Sequence, residues 1–172
     1  MQTQGVTLLI MNDFELGYLA AMIDAESFVG ISRLPRGKEG RITNGYVIRY
    51  ELAMTDLKPV TYVNSLLPNA KMIKQATKGR RTPYYRLRLT QQEALAFIRI
   101  MRPHVKGKQE VMDVCLEMDA IRRRYSPSRN HTGKAHFQPM PKEYSIEADN
   151  LYKRYQTLNL RKGRHGEKGL DK

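Results

Sequence analysis

Two acids, Asp24 and Glu26, close an otherwise apolar run: Leu19-Ala-Ala-Met-Ile-Asp24-Ala-Glu26. A carboxylate at the end of an apolar helix has a plain chemical use. Paired with a second carboxylate, it offers hard oxygen ligands to a divalent cation such as Mg²⁺, which keeps several waters and acts on phosphate esters. One such glutamate per chain is half a site. The helix suggests how the site is completed. Gly17 and Ala21 are small and four residues apart, as are Ala20 and Asp24, a spacing that lets another helix come close. If that helix belongs to a second copy, two Glu26 carboxylates meet near one axis. Ala25, beside Glu26, belongs to the same metal-binding point.

The elements that must hold these acids follow from pattern. Asn12 with Glu15 three residues on reads as a capping box, opening a helix to about Asp24. The helix has no polar face, so burial between two layers is expected. Residues 27–36 alternate, with Val29 and Ile31 on one side and Gly30, Ser32 and Leu34 on the other. Pro35 to Gly45 is a turn-rich hairpin loop. In the next strand Ile48, Tyr50, Leu52 and Met54 face the core, and Val47, Arg49, Glu51 and Ala53 face out. Asp56 caps a short helix to Leu67, with Pro59 in its first turn. A second hairpin joins Lys71–Lys78 to Tyr84–Leu89 around Gly79 to Pro83, with Tyr85, Leu87 and Leu89 inward and Arg86 and Arg88 outward. Thr90 with Glu93 reads as another capping box, opening a helix to about Met101. A long helix over about 108–124 carries the stripe Val111, Val114, Cys115, Met118 and Ile121. Residues 126–141 have no period and read as a loop, long for a compact domain. A last helix is expected over about 145–159, then a basic tail over 161–172.

The order helix, two strands, helix, two strands, helix describes an α+β layer: a four-stranded antiparallel sheet with helices on one face. With 172 residues, one domain over 1–160 is expected, its core at about 12–124. Cys115 is the only cysteine, so no internal disulfide and no cysteine zinc site is available, and a reducing compartment is expected. The run Val6–Met11 is too short for a signal peptide or membrane span. The chain carries 30 Lys+Arg against 17 Asp+Glu, a net +13, which implies a polyanionic partner, most simply nucleic acid.

The residues Leu19 to Glu26 resemble the first eight positions of the signature of the LAGLIDADG homing endonucleases. Ala21 replaces the usual Gly, Met22 the usual Leu, and Ser27 stands at the ninth position, normally Gly. A positive φ there would be strained by a side chain. The order of elements over about 12–124 resembles the family core as well. The resemblance implies a curved sheet lying as a saddle in the DNA major groove, a homodimer through the signature helix, and Mg²⁺-dependent cutting of both strands, with Mn²⁺ substituting. It implies an intracellular setting: a bacterial or phage cytoplasm or an organelle. It makes Glu26 the metal ligand and catalytic residue, and Asp24 a mainly structural acid that organises backbone. Pro103-His-Val-Lys-Gly-Lys108-Gln resembles the segment in which the family places a lysine near the active-site water. Lys108 takes that place, with Lys106 as fallback. Asp56 matches a polar position at the same water pool, and Val60 one where some members carry a basic side chain.

The outward faces then become candidate DNA contacts: Ser32, Leu34, Arg36, Arg49, Glu51, Lys74, Arg86 and Arg88. Arginine donates two hydrogen bonds to guanine, and glutamate accepts from cytosine N4. Lys38, Arg41, Arg80 and Arg81 in the turns are placed on phosphate. Two other readings compete. One keeps the fold and loses the cut, giving a splicing cofactor or DNA-binding regulator. The other is a basic RNA-binding structural protein. Neither needs a carboxylate ending an apolar, small-residue helix.

Overall fold

The computed structural model describes residues 11–33, 45–76, 83–125 and 141–161. Leu34, Arg36, the turn residues 38, 41, 80 and 81, and the loop and tail expected at 126–140 and beyond 161 lie outside the described residues. The order is α1 (Asp13–Ala25), β1 (Ser27–Arg33), β2 (Tyr46–Met54), α2 (Leu57–Leu66), β3 (Lys71–Gln75), β4 (Tyr84–Thr90), α3 (Gln92–Met101), α4 (Gln109–Tyr125) and α5 (Lys142–Arg161). The strands form one antiparallel sheet in the order β1-β2-β4-β3.

The capping box at the start of α1 is formed: the Asn12 side chain accepts from the Glu15 N–H at 3.0 Å, and Glu15 accepts from the Asn12 N–H at 2.8 Å. The period-two text of β2 and β4 is kept. Ile48, Tyr50 and Leu52 are buried, as are their partners across the sheet, Leu87 and Leu89. Against them pack Val60 and Val63 of α2, Phe97, Ile98 and Met101 of α3, and Met112, Val114, Cys115 and Met118 of α4. Tyr50 and Phe97 meet at 4.6 Å between ring centroids.

Three expectations are corrected. The capping box at Thr90 and Glu93 is not formed. Thr90 ends β4 opposite Arg49, and Gln91, at φ 50, turns the chain into α3 with no side-chain cap. Gln91 is held there by β2: its N–H donates to the Ile48 carbonyl at 2.9 Å and its amide to the Tyr46 carbonyl at 3.2 Å. Sheet pairing outweighs a local cap. Lys74 is opposite Tyr85, so it lies on the side of Met54 and Leu87 rather than on the charged face; in β3 that face carries Lys71, Ile73 and Gln75. Finally, Ala20 is not on the outer side of α1, which within the single chain packs along one side. Leu19, Ala20 and Ile23 are buried, whereas Gly17, Ala21 and Ala25 are exposed and Phe14 is 73% exposed. Ala20 therefore belongs to the chain's own core and not to an outer surface. An exposed stripe of small apolar residues, Gly17-Ala21-Ala25, remains.

Candidate functional site: the meeting of α1 and α4

The end of α1 and the start of α4 hold each other in both directions. Asp24 projects to the residues leading into α4 and accepts three backbone N–H groups: Lys106 at 3.1 Å, Gly107 at 3.0 Å and Lys108 at 3.1 Å. Those amides stand just before α4, and a carboxylate there suits the positive end of its dipole. In return Lys108, only 7% exposed, donates its ammonium to the carbonyls of Ile23 and Ser27. A cation at the negative end of α1 is the complementary arrangement. Gly107 leaves the room: a Cβ there would stand 2.9 Å from Asp24 Oδ1.

Ser27 takes part in the same closure. Its hydroxyl donates to the Met22 carbonyl at 2.9 Å and lies 3.3 Å from the Tyr50 hydroxyl. Among the described residues only Gln91 among non-glycines has a positive φ, so the serine at the signature's ninth position is unstrained and contributes a bond glycine could not.

Glu26 follows directly. It is the C-cap of α1, with its N–H donating to Met22 O, and its exposed carboxylate makes no ion pair or hydrogen bond among the described residues. It opens on a cleft of ≈ 570 Å³ that Asp24, Ala25, Ser27, Phe28, Val29, Gly107, Lys108, Val111 and Asn159 also line. The structure thus brings Glu26, Ala25, Asp24 and Lys108 together. It does not bring Asp56 there: that carboxylate caps α2, accepting from the Lys58 N–H at 2.9 Å. Val60 is buried in the core under α2. Asn159, near the end of α5, is a cleft residue that sequence reasoning missed, and no local pattern around it signals the role.

The donor set suits a hard cation in one specific way. Asp24 has both oxygens committed to backbone, so Glu26 is the one carboxylate of the cleft left to bind. Among the described residues no group of three or more His, Cys, Asp or Glu could hold a metal. Within one chain the other oxygens on the cleft include backbone carbonyls, such as that of Ala25, and the side chain of Asn159.

The open face of the sheet is the second candidate surface. Register places Phe28, Gly30 and Ser32 of β1, Val47, Arg49, Glu51 and Ala53 of β2, Tyr84, Arg86 and Arg88 of β4 and Lys71 of β3 on it. Arg49, Arg86, Arg88 and Lys71 against Glu51 leave it positive. Glu51 is already paired: Arg88 Nε and Nη2 approach its Oε2 at 2.9 and 2.8 Å, and Arg86 Nε stands 3.1 Å from Oε1 in an ion pair without a hydrogen bond.

No protein-family model and no curated protein matches the chain. Solved structures do. The homing endonuclease I-CvuI, in complex with its target in the presence of calcium, superposes with a TM-score of 0.65 at 10% identity, over 90% of this chain and 85% of that one. The archaeal intron-encoded homing endonuclease I-Vdi141I, complexed with DNA, gives 0.56 at 14% over 91% and 87%. The meganuclease I-SmaMI, bound to uncleaveable DNA, gives 0.59 at 15% over 81% of this chain but 44% of its own. With the four-stranded sheet, the helix order and the signature helix in place, this chain has the fold of the LAGLIDADG homing endonucleases.

Proposed function

We propose that this chain is a site-specific double-strand DNA endonuclease. It acts as a homodimer on a long, near-palindromic duplex and hydrolyses phosphodiester bonds with Mg²⁺, through one endonuclease domain over 1–160. The observation that carries this is the uncommitted Glu26 carboxylate on the cleft at the end of α1, beside an Asp24 that is fully used by backbone. The fold supports it, being that of structures solved with DNA. So does the single signature copy: the chain spans most of I-CvuI and under half of I-SmaMI, and the exposed stripe Gly17-Ala21-Ala25 is a surface on which a second copy can lie. A C₂ pair on that stripe brings two Glu26 carboxylates toward one axis.

Glu26 from each copy, together with phosphate oxygens, would hold the cation. A cation so held neutralises phosphate charge and lowers the pKa of bound water. The chain's own residues do the rest. Asp24 and Lys108 fix the backbone on either side of Glu26, so the carboxylate is aimed before DNA arrives. The Lys108 ammonium also places positive charge on the cleft wall, near where phosphate charge develops. The positive open face lies against the duplex and sets the register of the cut.

The test is cleavage of a duplex library by the full chain with Mg²⁺ or Mn²⁺, beside Glu26→Gln. Losing the metal-binding charge is expected to slow cutting on the order of 10³-fold while leaving binding nearly intact. Wild-type rates in Glu26→Gln overturn the assignment. Tight binding by wild type with no cutting in either metal hands the reading to a non-cleaving DNA- or RNA-binding protein. Light scattering at micromolar concentration checks the dimer, and a monomer with and without DNA refutes it.

A further inference from the structure

The acid on the open face has a defined job. We propose that Glu51 is a positioning residue that presents Arg88 to guanine, so that one base pair in each half-site is read as G·C through the Glu51–Arg88 pair. This deepens the endonuclease reading and rests on it.

Glu51 on β2 stands directly opposite Arg88 on β4, and Arg86 is the diagonal neighbour. Both arginines converge on the one carboxylate, Arg88 through Nε and Nη2 on Oε2, Arg86 through Nε on Oε1. The side chains are only 19% (Glu51), 25% (Arg86) and 28% (Arg88) exposed, so water screens the cluster less than an ordinary surface pair. One negative charge between two positive ones leaves the cluster cationic and still attracted to the groove.

The two arginines are not equivalent. Arg86 is committed further. Its Nη2 donates to the Tyr84 hydroxyl at 2.8 Å and its guanidinium lies 5.5 Å from the Tyr84 ring centroid. Arg88 binds Glu51 through one edge only. The Nη1 side of its guanidinium makes no hydrogen bond among the described residues. The planar fork is therefore fixed at one edge and open at the other. Two coplanar donors held in place match the O6 and N7 acceptors of guanine in the major groove. Because the rotamer is set before binding, less freedom is lost when the base is met. Glu51 spends Oε2 on Arg88 and holds Arg86 by an ion pair at Oε1.

The experiment is a binding selection on palindromic duplexes with randomised half-sites, using the full chain in wild-type, Glu51→Gln, Arg88→Ala and Arg88→Lys forms. Thermal unfolding of each variant is measured beside it. Wild type is expected to fix guanine at one symmetric pair of positions, preferring it by roughly 10-fold to 100-fold over the other bases. Arg88→Ala should erase the preference at that position alone. Arg88→Lys keeps the charge but loses the fork, and should keep affinity while relaxing that position. Glu51→Gln should weaken the same preference several-fold with the rest of the profile unchanged, which a merely structural acid would not do. An unchanged profile in Glu51→Gln overturns the positioning role. An equal loss over all sequences in Arg88→Ala, with a salt slope reduced by about one, makes Arg88 a phosphate contact and overturns the proposal. Failure of the wild type to bind any duplex overturns the endonuclease reading, and this proposal with it.

Discussion

The chain uses charge in two opposite ways, at the meeting of α1 and α4 and on the open face of the sheet. At the first, Asp24 and Lys108 are consumed by backbone: three N–H groups on the carboxylate and two carbonyls on the ammonium. On the second, charged side chains are consumed by one another, around Glu51, and a positive excess is left facing out. Backbone-bound charge fixes where a neighbour stands, and here the neighbour is Glu26. Side-chain-bound charge fixes which donors face a ligand. The first region should tolerate almost no change in residue type, the second a change of type with a change of preference.

That contrast breaks most visibly at Lys108. Lys108→Met removes the cation from the end of α1 and from the cleft wall together. Cutting is expected to fall ~10²-fold to ~10³-fold, with a smaller fall in DNA affinity. Single-turnover rates at saturating enzyme check this, and an unchanged rate would make Lys108 purely a helix cap. Next in size is Asp24→Ala. Three charge-assisted bonds from the segment leading into α4 disappear, so a loss of about 3 kcal/mol in denaturant unfolding is expected. A loss under about 1 kcal/mol would mean that water replaces the carboxylate freely.

On the open face, Arg49 sharpens the contrast. It stands opposite Gly30 and Thr90, and its Nε, though buried, has no hydrogen-bond partner among the described residues. With no hydrogen bond at that Nε to lose, Arg49→Ala should leave unfolding within about 0.5 kcal/mol of wild type while weakening binding. Two copies together carry +26, twice +13, and the wild-type slope of log affinity against log salt should be steeper than about −3. If Arg49→Ala unfolds early yet binds normally, the division between the two regions fails. The smallest effect is a matter of pH. Burial pushes the Cys115 thiol from its ordinary 9 up to about 12, and burial is also the main cause that lifts Tyr50 from 10 to about 12. Both groups ionise earlier in the unfolded chain. Their stabilising share is whole below pH 9 and is lost as pH rises through 12. Stability should therefore fall with alkali over that window, and the native thiol should resist alkylation at pH 8. Prompt alkylation at that pH would show that α4 opens readily.

What could be read in advance tracks how local its causes are. The capping box of α1, the alternation of β2 and β4 and the stripe of α4 are set by neighbours in sequence, and they stand as expected. Asp24 was legible as a backbone organiser through the signature, although its partners are 82 to 84 residues away. Lys108 was legible as a residue of the cleft, but its burial was not, because only the carbonyls of a distant helix end make a buried ammonium tolerable. Lys74 failed for another reason. All five residues of β3 are exposed, so its text carries no alternation, and only pairing with β4 fixes which side is which. Asp56 shows local chemistry prevailing, since a cap two residues away satisfies it before any long-range site can. Glu51 stands on the expected face, but its pairing with two arginines was not legible, because they come from the strand beside it.

Gly30 has a bearing on retargeting. The Tyr155 hydroxyl of α5 stands 2.0 Å from where a Cβ at residue 30 would be, in the middle of edge strand β1. An alanine, let alone an arginine, can be introduced there only if the Tyr155 side chain is displaced. On the proposed endonuclease reading, a designer seeking new target sequences can rewrite positions 28 and 32 on that strand directly, while the one between them also requires a change at Tyr155. The alphabet this strand offers is therefore shorter than that of β2 or β4, and the limit is imposed by a tyrosine 125 residues downstream that belongs to another layer of the fold.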